Sequence, residues 1–208
     1  MGAQGPRRLA LGLLGLVAAA LVCAGFARLG MAQGWFRGPY PAPGKRLAWA
    51  LGLPAPAYNF GVVIPGRLFR SARPDPRFLA WLEREHGVER IVSLVGQSEV
   101  HTAARALGLR VSSFAWRVEA LPPEAELRAA LDLLSGGERI LLHCASGADR
   151  TGYTVAAHRV LREGWSPERA LAEMRGYWHK PERHPQVEAA LRALFAAGRP
   201  PSTASQLR

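Results

Sequence analysis

Apolar residues follow two regimes along this chain. From Leu9 to Ala27 every residue is Leu, Ala, Gly, Val, Cys or Phe, an uncharged run of 19 positions. At about 1.5 Å rise per residue, such a run nearly spans a hydrocarbon core of roughly 30 Å. Arg7 and Arg8 precede it and Arg28 follows it. The expected organisation is therefore a short tail (1–8) and a transmembrane helix or signal anchor (9–29). The alternative is a signal peptide cleaved near Gly30-Met31-Ala32. Signal h-regions typically run about 7–15 residues, so the longer run favours an uncleaved anchor.

Beyond Asn59, short apolar clusters alternate with stretches of helical spacing. Val62-Val63-Ile64 and Leu68-Phe69 read as strands, as do Glu89 to Val95, Arg110 to Phe114 and Ile140-Leu141-Leu142. Asp75-Pro76 starts a helix to His86, with Asp at the cap and Pro at its first position. Further helices are expected over Ser98–Leu107, Pro122–Leu134 (stopped by Gly136-Gly137), Tyr153–Arg162, Pro167–Arg175 and Pro185–Phe195. Alternating strands and helices predict an α/β domain over 59–197, three layers with a central, largely parallel sheet. Between anchor and domain, 30–58 is rich in Gly and Pro, with Trp35, Phe36, Tyr40 and Trp49 interleaved. It reads as a linker that presses aromatics on the domain or the membrane surface, with a short docked helix over Leu47–Leu53. The polar stretch 198–208 reads as a frayed tail.

Charge modifies this picture in one respect. The net charge is +11, yet no Asp or Glu occurs before Asp75, while Arg7, Arg8, Arg28, Arg37, Lys45, Arg46, Arg67, Arg70 and Arg73 do. The excess belongs to sequence near the expected anchor, where it suits anionic lipid headgroups. Membrane lipid is thus an expected partner and nucleic acid is not, since basic and stacking residues do not cluster on the folded domain. The positive-inside count barely discriminates the two orientations, because basic residues flank the run on both sides. The chain's two cysteines, Cys23 and Cys144, supply neither a disulfide framework nor a metal-ligand set.

The chemistry concentrates at His143-Cys144-Ala145-Ser146-Gly147-Ala148-Asp149-Arg150-Thr151-Gly152. An apolar strand precedes this stretch and a helix follows it. Backbone amides around such a turn, together with the helix dipole, form an anion site. Thiols beside a helix N-terminus or a cation ionise more readily, so Cys144 is the candidate nucleophile. Gly147 permits the positive-φ turn that lets Ala145, Ser146, Gly147, Ala148 and Asp149 curl around phosphate oxygens. Arg150 offers a planar fork for two of those oxygens. Thr151 has a hydroxyl for the thiolate or the intermediate, and His143 is placed to brace the loop.

This stretch resembles the signature of the cysteine-dependent phosphatases, a Cys, five residues and an Arg, with His before and Thr-Gly after. The resemblance extends more weakly from Asn59 to about Phe195. Asn59-Phe60-Gly61-Val62-Val63 through Leu68-Phe69-Arg70-Ser71-Ala72-Arg73-Pro74 is similar to the opening segment of bacterial dual-specificity-like members. The resemblance implies phosphomonoester hydrolysis through a thiophosphoryl-enzyme on Cys144, without metal or cofactor.

Many relatives place a general-acid Asp on a separate loop. The matching connection here, Phe114 to Pro123, has no Asp, and its only carboxylate is Glu119. Asp149 sits at the offset where myotubularin-type lipid phosphatases carry an Asp. It is favoured slightly over Glu119, although orienting the loop is an ordinary role for it. Ala145 and Ala148 supply none of the Lys charge common in phosphoinositide-directed loops. A phosphorylated protein, on Tyr or Ser/Thr, is therefore the expected substrate, with an inositol phosphate or phosphoinositide as the alternative. From another class, a membrane-held, non-catalytic phosphate-binding module remains open. Arg70, Arg73 and Tyr177-Trp178-His179-Lys180 either approach the phosphate or simply pack and cover the domain edge. The expected location is a membrane, through a single N-terminal pass, or export after signal cleavage.

Overall fold

The structure, a computed structural model, describes residues 38–197 apart from 97 and 121, together with the isolated residues 22 and 25. The expected anchor at 9–29 (those two positions aside), residues 30–37 of the linker and the tail 198–208 lie outside the described residues. Among the described residues no helix is long and apolar enough to cross a membrane.

Each strand is four residues long: β1 (Gly61–Ile64), β2 (Leu68–Ser71), β3 (Arg90–Ser93), β4 (Arg110–Ser113) and β5 (Ile140–His143). They form one sheet in the order β1-β2-β5-β3-β4. Only the β1–β2 hairpin is antiparallel; β5 lies parallel between β2 and β3. Glu89, Leu94 and Val95, expected at the ends of β3, fall outside the ladder.

The helices are α1 (Ala42–Ala50), α2 (Pro76–His86), α3 (Glu99–Ala106), α4 (Glu124–Ser135), α5 (Asp149–Glu163), α6 (Pro167–Gly176) and α7 (Pro185–Ala197). Side chains alternate across a strand, and the sheet divides its apolar residues accordingly. Leu68, Val92, Ile140 and Leu142 join a core with Leu127, Leu131 and Leu134 of α4, Val155 of α5, Leu171 of α6 and Leu191 of α7. Phe69, Ile91 and Leu141 face the other way, onto Phe78, Leu79 and Leu82 of α2 and Val100 and Ala104 of α3. The expected three layers are therefore present.

The cap predicted for α2 forms, with Asp75 Oδ1 accepting from Phe78 N at 2.9 Å. Two helix starts differ from expectation. Helix α1 occupies 42–50, because Pro43 suits a first turn and Gly52, at φ 70°, lies beyond its end. Helix α5 begins at Asp149, four residues before the apolar periodicity that predicted it. Residues 38–58, read as linker, pack on the α2 side. Pro39 pairs with Tyr58, the Tyr58 ring stacks on Phe78 at 3.9 Å, and Trp49 Nε1 donates to Tyr58 Oη at 3.2 Å.

Candidate active site

The sheet's central strand, β5, ends at His143 and hands the chain to Cys144 at the carboxyl edge, where parallel sheets bind ligands. Cys144 is 1 % exposed, so its position is set by packing. The Gly147 amide donates to Cys144 Sγ at 3.2 Å. That inward turn needs φ 71° at Gly147. A Cβ there would lie 2.6 Å from Ser71 C and Ala72 N, so the loop also touches backbone where only glycine fits.

Three bonds hold the loop from outside. Arg73 N donates to Ala145 O at 3.1 Å, Asn59 Nδ2 to Ser146 O at 3.0 Å, and Arg70 Nη2 to Gly147 O at 2.8 Å. Carbonyl and following amide point oppositely across a trans peptide. Fastening the carbonyls of 145, 146 and 147 outward therefore turns the amides of Ser146, Gly147 and Ala148 toward the interior, where the first turn of α5 adds its dipole. Ser146 Oγ also accepts from Ala148 N at 3.4 Å. Of the two arginines left open by sequence, Arg70 is fully buried, with its guanidinium 3.8 Å from the centre of the Tyr177 ring, and braces the loop. The Arg73 side chain is exposed.

Arg150 stands on the first turn of α5 and donates from Nη1 to Trp116 O at 2.8 Å. Trp116 is anchored in turn by its indole, which donates to Glu126 Oε2 of α4 at 2.6 Å. A guanidinium has five N–H donors, so one bond orients its plane without exhausting it. Arg150 and Asp149 share a small depression with Trp116, Val118, Tyr153 and Val187. A larger cavity of about 620 Å³, bordered by Val160, Trp165, Arg192 and Phe195, contains no residue of the loop.

His143 is wholly buried, with Nδ1 3.3 Å from Cys144 O. Desolvation pushes its imidazole down to about 4, and the nearby His101 and Arg73 add in the same direction. The ring is therefore neutral near pH 7. Thr151 is also fully buried, and no hydrogen bond reaches its hydroxyl, from sulfur included. The structure thus does not place that hydroxyl on Cys144.

The two acid candidates differ sharply. The Glu119 side chain is 67 % exposed and its ion-pair partner is Arg117, at 3.7 Å. Asp149 is next to Arg150, with 18 % of its side chain exposed, and its Oδ1 lies 2.7 Å from His179 Nδ1. Asn59 carries a loop contact that sequence reasoning did not assign. It is buried at φ 50°, and its amide also reaches Tyr177 O at 3.1 Å. A polar residue before an apolar strand gives no local sign of such a role.

No family model matches the chain. The dual specificity protein phosphatase TpbA of Pseudomonas aeruginosa is 32% identical over 130 residues, which are 61% of this chain and 57% of that protein. The chain thus spans little more than half the length of that curated relative. A crystal structure of P. aeruginosa TpbA superposes with a TM-score of 0.56 at 27% identity, covering 68% of this chain and 92% of that one. The core catalytic domain of the S. cerevisiae PP-IP phosphatase Siw14 has the same fold, with a TM-score of 0.57 at 22% identity, over 64% and 83% of the two chains. With its Cys-to-Arg loop at the end of a central parallel strand and its homology to TpbA, the chain belongs with the superfamily of cysteine-dependent tyrosine and dual-specificity phosphatases.

Proposed function

We propose that this chain is a phosphoric monoester hydrolase that acts on phosphorylated protein through a thiophosphoryl-enzyme on Cys144. The Gly147 amide aimed at Cys144 Sγ, in a loop ending at Arg150 and a helix N-terminus, carries this reading. In the first step the sulfur attacks phosphorus and the P–O bond breaks. The loop amides and the Arg150 fork hold the equatorial oxygens, where charge develops. The leaving oxygen takes the proton of Asp149. Water then attacks the phosphorus, the P–S bond breaks, and the Asp149 carboxylate accepts the water's proton. An activated sulfur thereby divides one hard displacement into two easier ones.

An aryl ester such as phosphotyrosine fits this reading. A structure of TpbA, 25% identical to this chain, is a complex with pTyr. The loop's Ala145 and Ala148 add no charge for a second phosphate. The run Leu9–Ala27 supports a membrane-held enzyme, and a mature N-terminus still beginning before residue 9, in the membrane fraction, is the expected outcome of fractionation and terminal sequencing. Hydrolysis of 4-nitrophenyl phosphate by the full chain tests the enzymatic reading. Turnover abolished by Cys144→Ser is expected; turnover unaffected by that substitution refutes the assigned nucleophile, and none in the wild type leaves a phosphate-binding module.

A further inference from the structure

Asp149 does not stand alone beside the loop. Its Oδ1 is 2.7 Å from His179 Nδ1, and the His179 side chain is completely buried. The opposite ring nitrogen, Nε2, faces Glu188 Oε1 of α7 at 3.8 Å, beyond hydrogen-bond reach. Glu188 is gripped by Arg175 of α6 through Nε at 2.7 Å and Nη2 at 2.6 Å, and Arg192 is 3.9 Å away. Those cations hold its carboxyl below the usual carboxylate range. His184 approaches the other oxygen of Asp149, with Nε2 3.8 Å from Oδ2. The Asp149 carboxyl, at the start of α5, is thus approached by His179 from the turn after α6 and by His184 from the turn before α7, with α7 behind His179.

The turn that delivers His179 is strained. Trp178 has φ 72°, and Asn59 and Trp178 are the two non-glycine residues at positive φ among the described residues. Bulky residues in this region are strained and persist only where surrounding structure over-determines them. Here Asn59 ties the two together, because its amide donates to both Ser146 O of the loop and Tyr177 O next to Trp178. Trp178 itself is 51 % exposed, with one part of its ring against Gly38. The conformation does turn the following residue, His179, inward.

We propose that His179 is a positioning residue for Asp149. Its Nδ1–H donates to Oδ1, which fixes the plane of the carboxyl and stabilises the carboxylate formed when Oδ2 releases its proton. This rests on the phosphatase reading with Asp149 as general acid. When the P–O bond breaks, its electron pair and the Oδ2 proton end on the leaving oxygen, and Asp149 becomes a carboxylate. His179 keeps its own proton throughout. In the second step the attacking water returns a proton to Oδ2. Glu188 lies on the far side of the imidazole, 3.8 Å from Nε2.

Leaving-group dependence separates this role from a merely structural one. A good leaving group needs no proton, so loss of the acid's partner slows poor esters selectively. The full chain and its His179→Ala and His179→Asn variants are assayed on phenyl phosphate and 2,4-dinitrophenyl phosphate, alone and with Asp149→Asn. His179→Ala is expected to lower kcat/KM, which reports P–O cleavage and not the shared hydrolysis of the intermediate, about tenfold or more on phenyl phosphate and by less than about threefold on the dinitrophenyl ester. Asn, whose amide N–H stands where Nδ1 stood, is expected to restore most of the loss. In Asp149→Asn, His179→Ala is expected to change neither rate further, as coupled groups do. Should His179→Ala fail to fold, His179→Asn against His179→Gln makes the same comparison. Equal losses on both esters, or a His179 effect that persists in Asp149→Asn, overturn the inference and leave the Cys144 reading standing. No Cys144-dependent turnover in the wild type overturns both.

Discussion

Replacing Gly147 by Ala probes the loop at its tightest point. The added methyl incurs two costs. At φ 71° an L-residue is in the left-handed region, which costs roughly 1–2 kcal/mol. The Cβ would also meet Ser71 C and Ala72 N at 2.6 Å and Ser71 O at 2.7 Å, where real Cβ atoms essentially never approach within 3.0 Å. These are backbone atoms, and Ala72 N is itself tied to Tyr58 O at 2.6 Å, so the strand end resists moving. Overpacking of this kind costs about 1–3 kcal/mol. The sum, about 2–5 kcal/mol, is large beside a typical stability of roughly 5–15 kcal/mol, but it leaves the domain folded.

The loop gives way instead, by several tenths of an ångström. That displacement pulls the Gly147 amide from Cys144 Sγ and the Gly147 carbonyl from Arg70. Misplacement by about 1 Å costs on the order of 100-fold in rate, so kcat/KM on an aryl phosphate is expected to fall by about that factor. Gly108→Ala is the matched control. Its φ is 75°, but nothing lies within 4 Å of the added Cβ, so only the conformational term applies and activity is unchanged. Urea denaturation and steady-state kinetics on the two variants measure both terms. Equal stability losses in the two, or a Gly147→Ala enzyme with wild-type kcat/KM, would refute the reasoning.

Asn59→Ala removes two bonds to buried carbonyls and leaves a residue with a side chain at φ 50°. At about 1–3 kcal/mol per stranded group, a loss of roughly 2–6 kcal/mol is expected in urea denaturation, with a fall in kcat/KM because Ser146 is released. The pH dependence follows from His143, whose folded value of about 4 lies below the ordinary 6.5. Between those values the unfolded chain binds more protons, so stability is full above pH 6.5 and falls as the pH drops toward 4. The loss between pH 7 and 5 is about 2 kcal/mol for this residue, and His101 and His86, also shifted downward by burial, act in the same direction. Urea denaturation at the two pH values checks it, and His143→Asn is expected to flatten the dependence.

The loop from Cys144 to Arg150 is legible in the sequence because it is local. One strand, five loop residues and a helix start fit within thirteen positions, and each residue type carries its own physical reason. The start of α5 was not legible. Asp149, Thr151 and Gly152 are weak helix formers, and residues 149–152 lack an apolar stripe, so periodicity begins only at Tyr153. The braces were hidden for a different reason. Asn59 and Arg70 reach the loop from 87 and 77 residues away, contacts that no local pattern encodes. Sheet order explains them: β2 lies beside β5, the segment before β1 is tied to the end of β2 through Ala72 N and Tyr58 O, and a buried Arg in β2 has the Gly147 carbonyl as its partner. The choice between Asp149 and Glu119 was likewise undecidable from spacing. The structure separates the two by surroundings: Asp149 contacts His179, 30 residues downstream, beyond a left-handed Trp178 that a strand-and-helix reading does not anticipate.

Rapid acid quench of the full chain with 4-nitrophenyl phosphate, followed by peptide mass spectrometry, tests most directly whether sulfur attacks phosphorus. The account predicts a phosphoryl group on the peptide containing Cys144, formed at least as fast as steady-state turnover and absent in Cys144→Ser. Turnover without that adduct, or the adduct on another residue, would contradict it.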